Sequence, residues 1–540
     1  MPITPNLHAA LRRLRYADRK RTLWIDQLCI NQWDINEKAS QVSLMRDIYK
    51  NCEHCVLWLG EIPDDKAHGF EQEDAEAVFD FMRWVADKDR TPLRSSGIHH
   101  FPSDHRDLPT LFRDSPKGEA TRKAFAAFAM YGNPWWSRIW TIQESILPKS
   151  ADLVWGNLSM SRQDVITVAR RLKNGPQGHL ASFSFAFQAR RRRHDELIRC
   201  LLYPVHGFLH SQNGEEPLNL FMRWRHRQAT DSRDKVYALL GLLPADVLPS
   251  AQPCSYFISA PELFAQVTLD LIRHEGGLRP LVASSEMAHV TAGLPSWAID
   301  FACSNRVGKR QLRWWGHSHR YGQFSACGKN ELQFTVSEAG KTLSLTGFLV
   351  DQVLKVNGVY TVADDETLLR SKCLEIITSS EELLRDYIKD RPELLYPAGG
   401  QWTSALWRTM LGDLAMDEFP LERVKDEHEG LFKKARDWLA RGEPEIPDGI
   451  LVSLQGMIPN HAFFITESGY VGIGPPQTLP GDQVWVFYGG KAPFVMRRME
   501  KEDGSDKICS LTLVGDAYVH GIMDGEAVKA DRRVHTAWIH

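Results

Sequence analysis

Two short apolar runs enclose an amphipathic segment near the start of the chain. The first run is Leu23–Asp26 and the second is Cys55–Leu59, and each has the length of a buried strand. Between them, Asp34 and Glu37 form a helix-start signal, and apolar residues then recur at helical spacing as far as Tyr49. Strand, helix and strand within about 35 to 40 residues have the size of a βαβ unit. The pattern predicts two parallel strands joined by a helix.

Parallel strands bring their carboxyl ends to one edge of a sheet. Asp26 ends the first predicted strand and Gly60 follows the second, so we expect both at the same edge. Open α/β sheets bind their ligands at that edge. The sequence therefore predicts an N-terminal α/β domain over residues 1–160, with a ligand site beside Asp26.

An aromatic segment follows at residues 133–144, where the sequence reads NPWWSRIWTIQE. On one continuous helix Trp136, Trp140 and Glu144 are spaced i, i+4 and i+8 and share a face. A carboxylate beside two indoles is unusual. Two interpretations stay open: Glu144 is a structural partner of Arg138 or of a main-chain donor, or it is a functional acid in a partly desolvated pocket.

The rest of the chain divides by its patterning. Residues 161–325 are expected to be mainly helical, and residues 326–455 combine a hairpin with helices. The two strands of that hairpin are Leu332–Val336 and Leu343–Val356. Residues 456–530 contain short strands separated by glycine turns, which is typical of a small antiparallel barrel or sandwich. The predicted fold class is an α/β domain, a helical middle region and a C-terminal β-barrel-like module.

Two segments of the middle region carry a charged pattern. ATDSRDKVYALLGL, at residues 229–242, predicts a capped apolar helix with a structural role. Arg190–Arg193 has the composition of a nuclear signal or an RNA contact, but a solvated helix face is the interpretation we favour. Neither segment points to a catalytic group.

The composition of the chain indicates which partners and which cellular compartment to expect. The formal net charge of −3 gives no overall field that attracts nucleic acid or an anionic membrane. No stretch approaches the ~18 apolar residues of a membrane span, and the first residues lack the apolar core of a signal peptide. The nine cysteines have no framework spacing, which suits a reducing compartment. We expect a cytoplasmic protein that binds no nucleic acid and does not span a membrane.

Common cofactor and metal motifs are missing from the sequence. No GxGxxG follows a predicted strand, and neither HExxH nor GxSxG occurs. Cys52 and Cys55 have CxxC spacing, but no second ligand pair lies at zinc-finger distance. A hydrolase with a serine nucleophile is therefore unsupported, and we predict no bound metal or cofactor.

Five segments resemble motifs of the fungal heterokaryon-incompatibility (HET) domain proteins: LWIDQLCINQ, QVSLMRDIY, CVLWLG, WWSRIWTIQE and ATDSRDKVYALLGL. The C-terminal segment that begins ITESGYVGIGPP and ends LVGDAYVHGIMDGE resembles the tail module of long members of that family. The resemblance covers most of the chain. It implies a role in fungal non-self recognition and programmed cell death, a form of innate immunity.

HET domains in turn resemble Toll/interleukin-1 receptor (TIR) domains. TIR enzymes that cleave NAD often carry Trp-x-x-x-Glu with a Ser shortly before the Trp, and this Glu is catalytic. Trp140 and Glu144 match that spacing, and Ser137 precedes them. The resemblance implies an NAD glycohydrolase in which NAD is the substrate and Glu144 is catalytic. The residues implied to contact the substrate are Asp26, Trp136, Arg138 and Trp140.

The sequence departs from the family pattern at two points. Thr141 stands where the TIR enzymes often have Cys, and no strand resembling A-L-S-Y-x-W-G precedes Leu7. Without that strand we expect an unpaired sheet edge near Leu23–Asp26, which predicts self-association. A non-catalytic module that binds protein partners through its TIR-like surface and C-terminal β module is the alternative function.

Overall fold

We describe the fold from a computed structural model. The chain forms two compact units. The first unit spans Met1–Ile258, and the second comprises Ser259–Cys303 and Val307–His540. The structure describes residues 3–63, 68–87, 110–112, 115–129, 132–174, 204–205, 207–209, 211–212, 214–285, 289–303, 321–359, 366–389, 391, 393–416, 421–441, 450–499, 510–530 and 532–540.

The first unit is a mixed α/β structure. Its helices are α1 (Pro5–Leu14), α2 (Asp26–Cys29), α3 (Ile35–Asn51), α4 (Gln72–Ala86), α5 (Pro116–Phe128), α6 (Thr141–Ile146), α7 (Arg162–Asn174), α8 (Pro217–Trp224) and α9 (Asp234–Leu240). Its strands are β1 (Cys55–Trp58), β2 (Ala151–Trp155) and β3 (Leu158–Ser161). Helix α3 begins as predicted, because the Asp34 carboxylate accepts the N–H groups of Asn36 and Glu37 at 2.9 and 3.1 Å.

The described sheet of the first unit has three strands in the order β1–β2–β3. Strand β1 runs parallel to β2, with Cys55 opposite Ala151, and β2 forms an antiparallel hairpin with β3. Gly156 turns this hairpin with a φ of 58°, a conformation that favours glycine. The predicted α/β character is therefore present, but the strand parallel to β1 is β2.

The expected strand at Leu23–Asp26 is wrong. Ile25 has extended dihedral angles, yet within the described residues this segment pairs with no strand. Asp26 instead opens the short helix α2, and its carboxylate accepts the N–H of Gln27 at 2.8 Å. A strand needs a neighbour for its main-chain groups, and among the described residues Leu23–Asp26 pairs neither with the open edge of β1 nor with any other strand.

The expected continuous helix from Pro134 to Glu144 is also wrong. Pro134–Ser137 forms one 3₁₀ turn, and α6 starts only at Thr141. Between them the chain is extended at Arg138 and forms a bridge with Gln228, whose carbonyl accepts the N–H of Ile139 at 2.9 Å. The break changes the direction of the side chains, so residues spaced i and i+4 across it no longer share a face.

The second unit combines helices with a large sheet. Its helices are α10 (Ala260–Glu275), α11 (Arg279–Ser285), α12 (Glu366–Lys389), α13 (Trp402–Leu411), α14 (His428–Arg441), α15 (Ile450–Met457) and α16 (Glu526–Lys529). Its strands are β4 (Phe334–Val336), β5 (Leu343–Val356), β6 (Leu414–Ala415), β7 (Glu422–Arg423), β8 (Ala462–Thr466), β9 (Val471–Gly474), β10 (Gln483–Phe487), β11 (Phe494–Arg498), β12 (Ser510–Asp516), β13 (Tyr518–Val519) and β14 (Val534–Ile539).

Five strands of this sheet close into a barrel. The order is β5–β10–β11–β12–β14, and β14 pairs with β5 again. All neighbours are antiparallel except β12 and β14. The predicted hairpin of β4 and β5 and the strands predicted near β8–β13 are present. The barrel extends beyond residues 456–530, because its central strand β5 comes from the preceding region and β14 follows it.

Two further predictions concern individual segments. The arginine run at residues 190–193 lies outside the residues that the structure describes. Among the helices that it does describe, none is both long and apolar enough to cross a lipid bilayer.

Candidate functional site

A cavity of about 1700 Å³ opens in the first unit and is lined in part by β1. Helices α1 and α3, β1 and the segment from Lys20 to Gln32 form part of its wall. The residues around Trp140 and those at the start of α9 complete it. Four of the five predicted site residues line this cavity: Asp26, Arg138, Trp140 and Glu144.

Glu144 lies on α6 and is a half-buried residue of the cavity wall. The carboxylate accepts hydrogen bonds from the side chains of Tyr49 and Trp135. Burial raises the pKa of Glu144 to about 7, while the Arg138 charge opposes this shift and the Asp26 charge adds to it. Near neutral pH the group is therefore balanced between its acid and its carboxylate form.

Tyr49 of α3 donates its uncharged phenol hydroxyl to the Glu144 carboxylate. Its ring is buried and packs edge-on against Trp24, with ring centroids 5.8 Å apart. Burial, and then the charge of Glu144, hold the pKa of Tyr49 well above its ordinary value. The phenol therefore keeps its proton and remains a hydrogen-bond donor to Glu144.

Arg138 acts on Glu144 through its charge alone. It is exposed at the break between the 3₁₀ turn and α6, and within the described chain it forms no ion pair with Glu144. The prediction that Glu144 is a structural ion-pair partner of Arg138 is thus not what the geometry shows. The main contacts of the carboxylate are the uncharged donors Tyr49 and Trp135.

Trp140 forms the adjoining wall, where it is held by an acid that the sequence did not single out. Its indole Nε1–H donates to Oδ2 of Asp234 at 3.2 Å, and the Tyr256 hydroxyl donates to Oδ1 at 2.6 Å. Asp234 is buried, which raises its pKa. Lys38 lies over the Tyr256 ring, with Nζ 4.0 Å from the centroid. A structural role alone was predicted for the segment that carries Asp234.

The loop before α9 is fixed by a second acid. Asp231 accepts two hydrogen bonds from the Arg233 guanidinium, at 2.9 and 2.7 Å. The same guanidinium donates to the carbonyl groups of Tyr256 and Ile258 at 2.5 and 2.9 Å. The signal for this loop was present in the sequence, because a polar TDSRD run directly before an apolar helix places several charges at one helix start.

Trp136 is the predicted site residue that does not reach the cavity. Its side chain is fully buried, its Nε1–H donates to the carbonyl of Phe128 at 2.8 Å, and its ring stacks with Phe208. The break before α6 directs this indole into the core. Trp135 lines the cavity in its place and contacts Glu144.

The side chains around the cavity favour one type of chemistry. A carboxylate beside indole rings, in a partly desolvated site, stabilises positive charge that develops on a bound ligand. Aromatic walls suit a flat ring, and Lys38 and Arg138 add positive charge. Among the described residues, no cluster of three His, Cys, Asp or Glu side chains is arranged to hold a metal ion.

Two family sequence models match parts of the chain. The sequence model of the family described as "Heterokaryon incompatibility protein (HET)" matches residues 1–144, so that Glu144 is the last matched residue. The model described as "Het-6 beta-barrel domain" matches residues 428–536, which include most of the barrel strands. No solved structure matches the chain significantly, so the expected TIR-like fold stays a prediction.

One curated relative aligns along almost the whole chain. It is the heterokaryon incompatibility protein 6, OR allele, of Neurospora crassa, which is 26% identical to this chain. The alignment covers 98% of this chain and 86% of the relative. A HET match over residues 1–144, a Het-6 barrel match over residues 428–536 and this similarity along the chain together support a heterokaryon incompatibility protein.

Proposed function

We propose that this chain acts in fungal heterokaryon incompatibility as an NAD glycohydrolase, whose activity causes cell death after non-self recognition. The observation that carries the proposal is the environment of Glu144. Its carboxylate faces a cavity large enough for a dinucleotide, receives neutral donors from Tyr49 and Trp135, and has a pKa raised to about 7 by burial. Perturbed acids of this kind concentrate at functional sites.

The proposed reaction breaks the bond between C1′ of the ribose and the pyridine nitrogen of NAD. The electron pair of that bond leaves with the ring nitrogen, so the cationic ring becomes neutral nicotinamide. A water oxygen bonds to C1′ and releases one proton, and the products are nicotinamide, ADP-ribose and that proton. The leaving group is neutral, so no general acid is required.

In this reaction Glu144 would act in its ionised form. Its negative charge stabilises the oxocarbenium-like ribose of the transition state, and its oxygens can accept the ribose hydroxyl groups. Trp140 and Trp135 provide flat apolar surfaces for the ring, and Asp26 contributes a second carboxylate to the wall. Trp136 has no part, because it lies in the core.

The experiment is to incubate the purified chain with NAD and to quantify nicotinamide and ADP-ribose by chromatography. Wild-type protein should release both in equal amounts, and Glu144→Gln should lose two to three powers of ten in rate, a typical cost of removing one electrostatic contribution of ~3–4 kcal/mol. Glu73→Gln is the matched control, because Glu73 is exposed on α4 and does not line the cavity. Wild-type protein that consumes no NAD would refute the proposal.

A second candidate function, a module for self-association or partner binding, is favoured by a separate observation. The N–H groups of Cys55 and Leu59 donate to β2-side carbonyls, so Val56 and Trp58 turn their main-chain groups away from β2. No described strand pairs with that edge. Near the start of α3 the Trp33 side chain is 94% exposed. Unpaired edges and exposed indoles are surfaces through which proteins associate.

Light scattering tests this second candidate. Across micromolar concentrations, wild-type protein should form dimers or larger assemblies, and Trp33→Ser should shift the distribution toward monomer. Leu395→Ser is the control, because Leu395 is 83% exposed and belongs to the second unit. A strict monomer at every concentration would rule out self-association.

A further inference from the structure

The acidic and basic side chains that line the cavity differ in whether they have hydrogen-bond or ion-pair partners within the protein. Glu144 and Asp234 each accept two hydrogen bonds from uncharged phenol and indole groups, and Asp231 is paired with Arg233. Asp26 accepts the main-chain N–H that follows it. The lining acids inside the cavity therefore already have partners within the protein, while Glu53 is solvent-exposed at the rim.

Among the described residues three lining cations, Lys20, Lys38 and Arg138, have no such partners, and the last two lie beside Trp140 and its partners. Neither Lys38 nor Arg138 forms an ion pair or donates a side-chain hydrogen bond in the part of the chain that the structure describes. Lys38 rests over the Tyr256 ring, and its charge favours the ionised forms of Asp231 and Asp234, although burial leaves the pKa of Asp234 raised. Other donors occupy both carboxylates. The positive charges are thus left available for a bound molecule.

We infer that Lys38 and Arg138 form an anion-binding site for the phosphate groups of the cavity's ligand. Their placement is consistent with one ligand: Lys38 adjoins the Asp234–Tyr256 pair that holds Trp140, and Arg138 lies two residues before Trp140. Arg138 is also close enough for its charge to act on Glu144. A ribose at Glu144 would carry its 5′-phosphate toward these cations. The ligand class is a nucleoside diphosphate or its sugar ester.

This inference deepens the proposed function, since it assigns the phosphates of the substrate, but it can be tested without turnover. ADP-ribose contains the diphosphate and lacks the bond to be cleaved, so its binding can be measured by titration calorimetry. Lys38→Ala and Arg138→Ala should each weaken ADP-ribose binding about tenfold or more, as expected for a lost charge-assisted hydrogen bond. Lys38→Arg should restore most of the affinity, because it keeps the charge.

Two controls separate phosphate recognition from general effects. Lys50→Ala removes a lysine from the same helix α3 that does not line the cavity, and it should leave ADP-ribose affinity unchanged. Inorganic pyrophosphate should compete with ADP-ribose on the wild-type protein, whereas adenosine, which has no phosphate, should bind Lys38→Ala and wild type alike. Melting temperatures of all variants establish that they are folded.

The outcomes distinguish the two proposals. ADP-ribose binding that depends on Lys38 and Arg138, without NAD turnover, supports the anion site and refutes the glycohydrolase. If the protein turns over NAD but wild type, Lys38→Ala and Arg138→Ala bind ADP-ribose with equal affinity, the anion site is overturned and the glycohydrolase proposal stands. A wild-type protein that binds neither ADP-ribose nor pyrophosphate also overturns the anion site.

Discussion

The two units each contain a cluster of charged side chains, and the two clusters are built on opposite principles. In the second unit Asp413 is 4% exposed and accepts hydrogen bonds from Arg408 and Arg423, each at 2.7 Å. These arginines also reach Asp426 and Asp524 at 2.6 and 3.1 Å. We call these five residues the charge network. In the cavity of the first unit, by contrast, uncharged groups hold Glu144 and Asp234, while Lys38 and Arg138 form no ion pair among the described residues.

The pKa shifts follow this difference. In the charge network burial lowers the pKa of Arg423, but the hydrogen bond to Asp524 and the charge of Asp413 outweigh it and raise that pKa. The surroundings therefore stabilise the charge. At Glu144 burial is the largest effect and raises the pKa to about 7, so the surroundings penalise the charge. A network closed by ion pairs suits a structural role, and a cavity that tolerates an uncompensated acid suits a functional one.

The charge network and the barrel both lie within the second unit, so we expect that unit to fold without the first. We expect a fragment of residues 259–540 to unfold cooperatively in denaturant. The fragment 456–540 should show no cooperative transition, because it lacks β5, the strand that pairs with β4, β8, β10 and β14. Circular dichroism during urea titration measures both. A cooperative transition in the shorter fragment would contradict this account of the barrel.

Asp413→Asn tests the charge network itself. Asn tolerates the left-handed backbone at this position, where φ is 56°, so the substitution removes the charge and little else. Breaking a buried pair typically costs about 3 to 5 kcal/mol, and we expect the lower end of that range because Arg408 and Arg423 keep Asp426 and Asp524 as partners. Asp426→Asn is the control, since that carboxylate is 95% exposed and should matter little. Equal unfolding midpoints for both variants would show that the network is not closed.

The sequence predicted correctly those elements that depend on residues within a few positions of one another, and missed those that depend on residues distant in the chain. The start of α3 and the presence of short strands within residues 456–530 were predicted well, because capping residues and short apolar runs act within a few positions. The helix break at Arg138 could not be predicted, because it is made by a bridge to Gln228, distant in sequence. The break is also why Trp135, and not Trp136, reaches the cavity.

Long-range pairing explains the remaining differences. Strand β5 was predicted, but its place in the barrel depends on β10 and β14, far along the chain. The Leu23–Asp26 run looked like a strand by composition and lacked the neighbour that a strand requires. Asp234 and Tyr256 became site residues only through their contacts with Trp140.

The two neighbouring tryptophans sharpen the comparison inside the first unit. Trp136→Leu should cost about 3 kcal/mol of unfolding free energy, because the indole is fully buried and its removal leaves a void. Trp140→Leu should cost less stability, since Trp140 is only half-buried at the cavity wall, and should instead weaken ADP-ribose binding. Urea unfolding and calorimetry give both values. The reverse pattern would mean that Trp140 belongs to the core.

The most direct test of the central claim compares wild type and Glu144→Gln across pH. A folded-state pKa of about 7, raised from 4.5, means that the folded protein holds the proton more tightly than the unfolded chain, so this group's contribution to stability is lost as the pH rises from about 4.5 to about 7 and changes little above that. Gln cannot ionise and keeps the neutral contacts. Glu144→Gln should therefore unfold like wild type near pH 4 and be more stable at pH 8, by about 1 to 3 kcal/mol.

In NAD turnover we expect the reverse order: wild type should be active at pH 8, where the more stable Glu144→Gln is inactive. Wild-type NAD turnover should rise with pH through about 7 as Glu144 ionises, and Glu144→Gln should show almost none. Unfolding free energy and NAD turnover, measured together at pH 4, 6 and 8, decide the matter. The account predicts a variant that is stabler at pH 8 and inactive. A variant that is less stable at pH 8 and turns over NAD like wild type would contradict it.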